Sequence, residues 1–127
     1  MRQQSQTLVV TTRGPSLTDV TRDVVRFVRA SKIRQGLLTL FLRHTSASLL
    51  VQENADQDVL RDLSPYRHTA EGLDDMPAHI RAALTQTSLS IPIEESAMVL
   101  GTWQAIHLFE HRDVPHKREI VLHVIGE

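Results

Sequence analysis

Short apolar segments separated by turn residues run along most of the chain, and their spacing predicts strands interrupted by helices. β-branched residues over 7–12 predict a first strand. The continuous apolar stretch over 37–44 predicts a buried central strand, with 47–53 as its neighbour. Further strand-like segments follow at hairpin spacing over 88–91, 98–100, 103–109 and 119–125. We therefore expect the C-terminal third to be mostly antiparallel sheet.

Apolar residues recur at helical spacing in three places between the predicted strands. They predict an amphipathic helix over 18–30, which begins with a capping box formed by Ser16 and Asp19. Two further helices are predicted over 54–65 and 76–87, with a surface loop between them. The chain is therefore expected to form one α+β domain over 1–127, largely antiparallel sheet layered with about three helices.

The composition predicts an apolar core and gives no sign of a polyanionic partner. Hydrophobic residues make up 41% of the chain and aromatic residues only 4%, so aliphatic side chains must build the core. The 14 basic and 15 acidic side chains leave a net charge of -1, which speaks against binding to nucleic acid or to an anionic membrane. The polar N-terminus has no signal-peptide pattern, so we expect a cytoplasmic protein.

Histidine is the unusual residue of this sequence, which contains seven His and no Cys. Disulfides and thiolate chemistry are excluded, and His, Asp and Glu remain for metal binding or acid–base catalysis. His44 ends a predicted buried strand and is followed by the hydroxyls of Thr45, Ser46 and Ser48. These groups can bind a phosphate, with His44 as a hydrogen-bond or proton donor, or they can form a polar turn around a hydrogen-bonded His.

A second polar set lies between the predicted second and third helices. It places carboxylates between two imidazoles, in the order His68, Glu71, Asp74, Asp75, His79. Two imidazoles and a carboxylate are enough for a divalent ion with open coordination positions. The spacing matches no short metal motif, and a solvated acidic loop fits the same residues.

A third set lies in the predicted loop between the last two strands. Arg112, Lys117 and Arg118 can clamp a substrate phosphate there while Glu110 orients a His. The alternative is a solvent-facing hairpin tip of mixed charge.

Three other residues favour structural or inter-subunit roles. His107 and His123 alternate with apolar residues on their predicted strands, so each shares a strand face with them. The single Trp, Trp103, favours a position in the core or at an interface.

Three motifs occur in a fixed order along the chain. They are the run HTSASL from residue 44, the run YRHTAEGLDDMPAHI from residue 66, and the run GTWQAI from residue 101. Together with Glu110, His111, Arg112 and Arg118 they resemble the YjbQ family, also called the secondary thiamine-phosphate synthase family. The resemblance implies a compact α+β homotrimer whose site residues collect in clefts that subunits can share. It also implies weak synthase activity, which joins a pyrimidine diphosphate to a thiazole phosphate and releases diphosphate.

The resemblance implies that His44, His68 and His79 belong to a site, and a mechanism for such a reaction gives roles to the residues singled out above. His44, His79 and Glu110 would be catalytic, Thr45, Ser46, Arg112 and Arg118 would bind the phosphorylated substrate, and His68, Glu71, Asp75 and His79 would hold a divalent metal, Zn or Mg. Two alternatives use the same groups. One is a non-catalytic trimer that binds a metal or phosphate ligand, and the other is a small metal-dependent hydrolase.

The chain departs from the family pattern at a few positions. The segment between Asp62 and Tyr66 is shorter than in many relatives, and Leu73 stands where Asn or a small residue is frequent. Gln86 and Ser96 stand where relatives often have Gly. These differences affect the expected substrate more than the expected fold.

Overall fold

The structure, a computed structural model, describes residues 1–53 and 85–127. In chain order these residues form β1 (Arg2–Thr12), β2 (Ser16–Asp19), α1 (Thr21–Ser31), β3 (Gly36–Leu42), β4 (Ala47–Glu53), β5 (Ser88–Glu94), β6 (Ala97–Met98), β7 (Gln104–Glu110) and β8 (His116–Gly126). Strands hold 59% of the described residues and the helix 11%. No helix in this part of the chain is long and apolar enough to cross a membrane.

The strands pair antiparallel and form two sheets. The larger sheet has the order β1-β8-β3-β5-β6 and curls into a half-barrel, and the smaller sheet has the order β2-β7-β4. β1 and β8 pair over their whole lengths, from Arg2 opposite Gly126 to Thr12 opposite His116. Because β5 to β8 make only antiparallel pairs, the prediction of an antiparallel C-terminal third is confirmed.

The predicted α+β layering with about three helices is wrong, because the described residues are mostly sheet with a single helix. The predicted helix over 54–65 and most of the one over 76–87 lie outside the described residues. The latter does not reach its predicted end, since Gln86 forms a β-bridge with Leu49. Much of the additional strand comes from residues 2–6, whose polar side chains predict no strand. Their backbone groups pair with β8, and this pairing overrides the local pattern.

The helix also begins later than the sequence predicts. Ser16 and Asp19, the predicted capping box, instead lie in β2 and pair with β7. α1 begins at Thr21, whose backbone N–H donates to Asp19 Oδ1 at 2.8 Å. The box is wrong because strand pairing holds these residues in an extended conformation.

α1 and both sheets contribute to one apolar core. α1 buries Val24, Phe27 and Val28 in it. The strands supply Leu38, Leu40, Leu42, Leu49, Ile106, Leu108, Ile120, Leu122 and Val124. Full burial of such a side chain is worth about 1.5–3 kcal/mol, so this core fixes the strand ends where the polar residues collect.

The last two long strands do not form the predicted hairpin. β7 pairs with β2 and β4, whereas β8 pairs with β1 and β3. β4, predicted beside β3, likewise belongs to the other sheet. The connection after β7 therefore passes from one sheet to the other, and it brings Glu110 at the end of β7 against Arg118 near the start of β8.

Candidate functional site

Polar residues from distant parts of the chain meet where the two sheets join. His44 and Ser46 come from the loop between β3 and β4, Glu110 ends β7, and Arg118 lies near the start of β8. These four residues are named the His44 corner below. The loop is held by backbone hydrogen bonds at both ends, from Arg43 N to the carbonyl of residue 119 at 3.2 Å and from residue 111 N to the Ser46 carbonyl at 3.3 Å.

Glu110 and Arg118 form a bidentate ion pair that is closed to solvent. Glu110 is 0% exposed and Arg118 is 3% exposed. Arg118 Nε donates to Glu110 Oε1 at 2.7 Å, and Arg118 Nη2 donates to Oε2. The hydroxyl of Thr12 also donates to Oε1, and the backbone N–H groups of His111 and Arg112 donate to Oε2 at 3.0 and 3.1 Å. Both carboxylate oxygens are therefore satisfied.

The protonation state of Glu110 follows from these partners. Burial alone would raise the pKa of the carboxyl, but the hydrogen bonds from Arg118 and Thr12 outweigh burial and hold the pKa below its ordinary value. Glu110 is thus ionised at neutral pH. A buried carboxylate with this many donors orients its neighbours and has no proton to transfer.

Arg118 also fixes the loop that carries Ser46. Its Nη2 donates to the Ser46 carbonyl at 3.2 Å and to Ser46 Oγ at 3.0 Å. Because Ser46 Oγ accepts from Arg118, its own proton is directed elsewhere. Ser46 is only 7% exposed, whereas the preceding Thr45 lies at the surface.

His44 is half-buried, and its ring is held by the backbone of β8. The backbone N–H of Glu119 donates to His44 Nε2 at 2.9 Å. A nitrogen that accepts this bond carries no proton, so the neutral ring carries its proton on Nδ1. Burial, and then the nearby charge of Arg118, lower the pKa of His44 below its ordinary value. At neutral pH His44 is therefore an uncharged hydrogen-bond donor through Nδ1.

A second pair of buried polar side chains, Ser48 and His111, lies close to the His44 corner in the chain. Ser48 Oγ lies 2.7 Å from His111 Nε2, and the Ser48 hydroxyl also contacts that of Thr85. The His111 ring packs edge-on against Phe109, with ring centroids 4.3 Å apart. Ser48 and His111 are both fully buried. This arrangement stiffens the strand ends behind the corner.

The structure brings together five of the residues that the sequence singled out: His44, Thr45 and Ser46 on one loop, with Glu110 and Arg118 behind it. Arg112 lies next to them in the chain, with its backbone bonded to Glu110. His68, Glu71, Asp74, Asp75 and His79 lie outside the described residues. Among residues 1–53 and 85–127, no three His, Asp or Glu side chains are placed to hold a metal ion.

The remaining singled-out residues lie in different surroundings. His107 is 1% exposed, and within the described part of the chain neither of its ring nitrogens has a hydrogen-bond partner. His123 faces outward from β8, with Nε2 3.0 Å from Gln3 Oε1. Trp103 is 75% exposed, so it is not a core residue. Its interface role stays a prediction.

Sequence reasoning missed three parts of the site. In the sequence, Thr12 is only the last β-branched residue of a predicted strand. The hydrogen bond from its hydroxyl to Glu110 is evident only in the fold. The contact between Ser48 and His111 joins two segments that are 63 residues apart. The donor to His44 is a backbone N–H of residue 119, which any residue type other than Pro supplies. No local signal could have identified that donor.

The chain is similar to known proteins over nearly its whole length. The sequence profile of UPF0047 YjbQ-like proteins matches residues 6–127. A UPF0047 protein of Synechocystis is 51% identical over 138 aligned residues, which cover 99% of this chain and 94% of the relative. The UPF0047 protein YjbQ of Escherichia coli O157:H7 is 37% identical over 137 residues, with 98% of each chain covered.

Solved structures show the same fold. A YbjQ-like protein of unknown function from Sulfolobus solfataricus superposes with a TM-score of 0.85 at 25% identity, covering 99% of this chain and 100% of that one. A conserved hypothetical protein from Thermus thermophilus superposes with a TM-score of 0.77 at 32% identity, covering 92% and 97%. The likeness thus extends over nearly the whole of each chain.

Proposed function

The chain belongs to the UPF0047 YjbQ-like family, and we propose that it is a weak thiamine-phosphate synthase-type transferase whose His44 corner binds a phosphorylated substrate. The reaction would join a pyrimidine diphosphate to a thiazole phosphate. The thiazole nitrogen forms a bond to the methylene carbon of the pyrimidine, the bond from that carbon to oxygen breaks, and diphosphate leaves with the electron pair. The resemblance described above supports this reaction class.

The observation that carries the proposal is the state of His44. Its Nε2 accepts from the backbone of Glu119, and its lowered pKa keeps the ring neutral, so Nδ1–H can donate. A fixed donor of this kind stabilises the negative charge that develops on a departing diphosphate oxygen. The hydroxyls of Thr45 and Ser46 follow His44 in the chain, and in this proposal they bind a substrate phosphate.

Glu110 and Arg118 act through their neighbours in this proposal. Each satisfies the other, and Arg118 holds both the carbonyl and the hydroxyl of Ser46. They would therefore keep the loop in place while His44, Thr45 and Ser46 contact the substrate. Arg112, half-buried beside them, would add positive charge for the phosphate.

Metal assistance is a separate part of the proposal and rests on the sequence alone. His68, Glu71, Asp75 and His79 would hold a divalent Zn or Mg ion, which would offset the charge of the diphosphate. Replacing both His68 and His79 by Ala should abolish stoichiometric metal binding, measured by elemental analysis after dialysis. Metal content equal to that of the parent would reject this site.

We also propose that the protein is a cytoplasmic homotrimer, with clefts that subunits can share. One surface that supports self-association is the outward face of β3 and β8, where Leu37 is 42% exposed and Phe41 is 49% exposed. On β8, Val121 lies opposite Phe41 and Ile125 lies opposite Leu37, with His123 between them. None of these side chains is a Lys, Arg, Asp or Glu, and most of them are apolar, which suits a surface that is buried between subunits.

The assembly can be tested by light scattering at micromolar concentration. The parent should have three times the 14.4 kDa chain mass. Phe41→Glu should reduce the mass, because a charge at this position would have to be desolvated at the interface. Val114→Glu is the control, since Val114 is exposed in the loop between β7 and β8 and is not a strand residue of this face. A monomeric parent would rule out shared clefts.

Activity is tested with the purified chain, both phosphorylated substrates and mass-spectrometric detection of thiamine phosphate, with and without chelator. His44→Ala should lower turnover by about 10²–10⁴-fold, the usual contribution of a positioned acid or base. His116→Ala is the matched control, because that ring bonds the Val114 carbonyl and lies outside both the His44 corner and the proposed subunit interface. No product above the uncatalysed background would reject the synthase proposal, and equal turnover of the parent and His44→Ala would reject the role of His44.

The same protein and substrates distinguish the synthase from the two alternatives, a ligand-binding trimer and a metal-dependent hydrolase. Binding of the thiazole phosphate by calorimetry without any product would favour a ligand-binding trimer. Release of inorganic phosphate from either substrate, abolished by chelator, would favour a metal-dependent hydrolase.

A further inference from the structure

A groove between α1 and the β5–β6 hairpin shares no residue with the His44 corner. Its volume is about 210 Å³. The wall is mainly apolar and is built from Val25, Val28, Ala97, Met98 and Leu100. At about 30 Å³ for each water-sized group, it has room for roughly seven non-hydrogen atoms.

Two of the lining residues are polar, Arg29 and Ser96. Arg29 lies at the surface and makes no side-chain hydrogen bond or ion pair with any residue in the described part of the chain. Arg26, one turn earlier, is different because its Nη1 lies 3.4 Å from Asp23 Oδ1. The groove therefore combines an apolar wall with an unengaged cation.

The turn between β5 and β6 places Ser96, the second polar lining residue, against the same groove. Glu95 and Ser96 both have left-handed backbones, with φ of 51° and 68°, and the backbone N–H of Ser96 donates to the Arg34 carbonyl at 3.0 Å. Two-residue hairpin turns of this type require a positive φ at both central positions, so the turn fixes the backbone that carries Ser96 at the edge of the groove. Glu94 and Glu95 line a separate pocket with Arg34, and neither residue belongs to the groove wall.

We propose that this groove binds a small amphiphilic anion, a carboxylate on an aliphatic chain. The carboxylate would bind the Arg29 guanidinium and the Ser96 hydroxyl, and the chain would lie along Met98 and Leu100. A charge-assisted hydrogen bond at one end and apolar contact along the wall are the features that such a ligand requires. The volume of the groove limits the buried part of the chain to roughly seven non-hydrogen atoms.

The first experiment uses methyl-detected NMR of the full chain and titrates three probes. Octanoate should produce saturable shifts at the methyl groups of Val25, Val28, Met98 and Leu100. Acetate has no aliphatic chain and octanol has no charge, so each should bind at least about tenfold more weakly. Failure of octanoate to shift these methyl groups would overturn the proposal, and so would octanol binding as tightly as octanoate.

Single-residue variants then test which side chains of the groove bind octanoate. Arg29→Gln should weaken octanoate binding about tenfold, because it removes the charge of the head-group contact. Arg26→Gln on the same helix is the matched control and should leave the affinity unchanged. Ala97→Leu should abolish binding by filling the groove from an exposed position. Equal affinities of Arg29→Gln and Arg26→Gln would overturn the assignment, and this comparison decides the matter even if Ala97→Leu fails to fold.

Discussion

Arg118 donates from Nε and Nη2 to the two carboxylate oxygens of Glu110, across a joint between two sheets where neither side chain reaches solvent. The two residues are eight positions apart, yet they belong to strands of different sheets. Burial of two charges is unfavourable by itself, so the pair depends on complete hydrogen bonding. Thr12, Ser46 and two backbone N–H groups provide it.

Glu110→Gln should destabilise the fold strongly, because it leaves the buried guanidinium of Arg118 without a counter-charge. The expected loss is about 3–5 kcal/mol in the free energy of unfolding, measured by urea denaturation. Glu119→Gln is the matched control. It removes the negative charge of the exposed pair with Arg43, at 3.2 Å, and should change stability by less than about 1 kcal/mol. Equal effects of the two variants would contradict the structural role of the buried pair.

His44 should titrate below its ordinary pKa and, when neutral, carry its proton on Nδ1. The folded state then binds fewer protons than the unfolded state as the pH falls from about 6.5 toward the folded pKa. The contribution of neutral His44 to the free energy of unfolding is thus complete above about pH 6.5. It is lost as the pH falls from there through the pKa that His44 has in the folded protein. Nitrogen–proton correlation NMR of the ring measures the tautomer and the titration together. A proton on Nε2 at neutral pH would contradict the hydrogen bond from Glu119.

Replacement by Leu should lower the stability of the protein at His111 but not at His107. Within the described residues neither ring nitrogen of buried His107 is hydrogen-bonded, so His107→Leu removes an unsatisfied polar group and should leave stability unchanged or raise it by about 1–3 kcal/mol. His111→Leu removes the contact with Ser48 and should lower stability by about 1 kcal/mol. Calorimetric unfolding compares the two. A loss in both variants would show that His107 has an essential partner.

Ser96→Gly should stabilise the protein, because Ser96 has a φ of 68° that Gly adopts without strain. The expected gain is about 1 kcal/mol, less the backbone entropy that Gly loses on folding. Ala97→Gly, at the next position, has no positive φ to relieve and should lose about 0.5–1 kcal/mol. Thermal unfolding of both variants tests the difference, and a loss of stability in Ser96→Gly would be the contrary result.

Local pattern determined much of the secondary structure and most of the candidate residues. The strands predicted over 37–44 and 47–53 are confirmed as β3 and β4, with ends that agree within two residues. They are recognisable because a core strand is a short apolar run between turn residues. His44, Ser46, Glu110 and Arg118 were singled out because their chemistry is a property of residue type and needs no knowledge of distance.

Only the tertiary structure decided how these strands and residues are placed relative to one another. The placement of β7 and β8 in different sheets follows from pairing between distant segments, which no local periodicity encodes, and this placement buries Arg118 instead of exposing it at a hairpin tip. Residues 2–6 form strand because β8 satisfies their backbone, despite their polar side chains. The backbone N–H that selects the His44 tautomer is common to all residues except Pro, so its role depends on where the fold places residue 119.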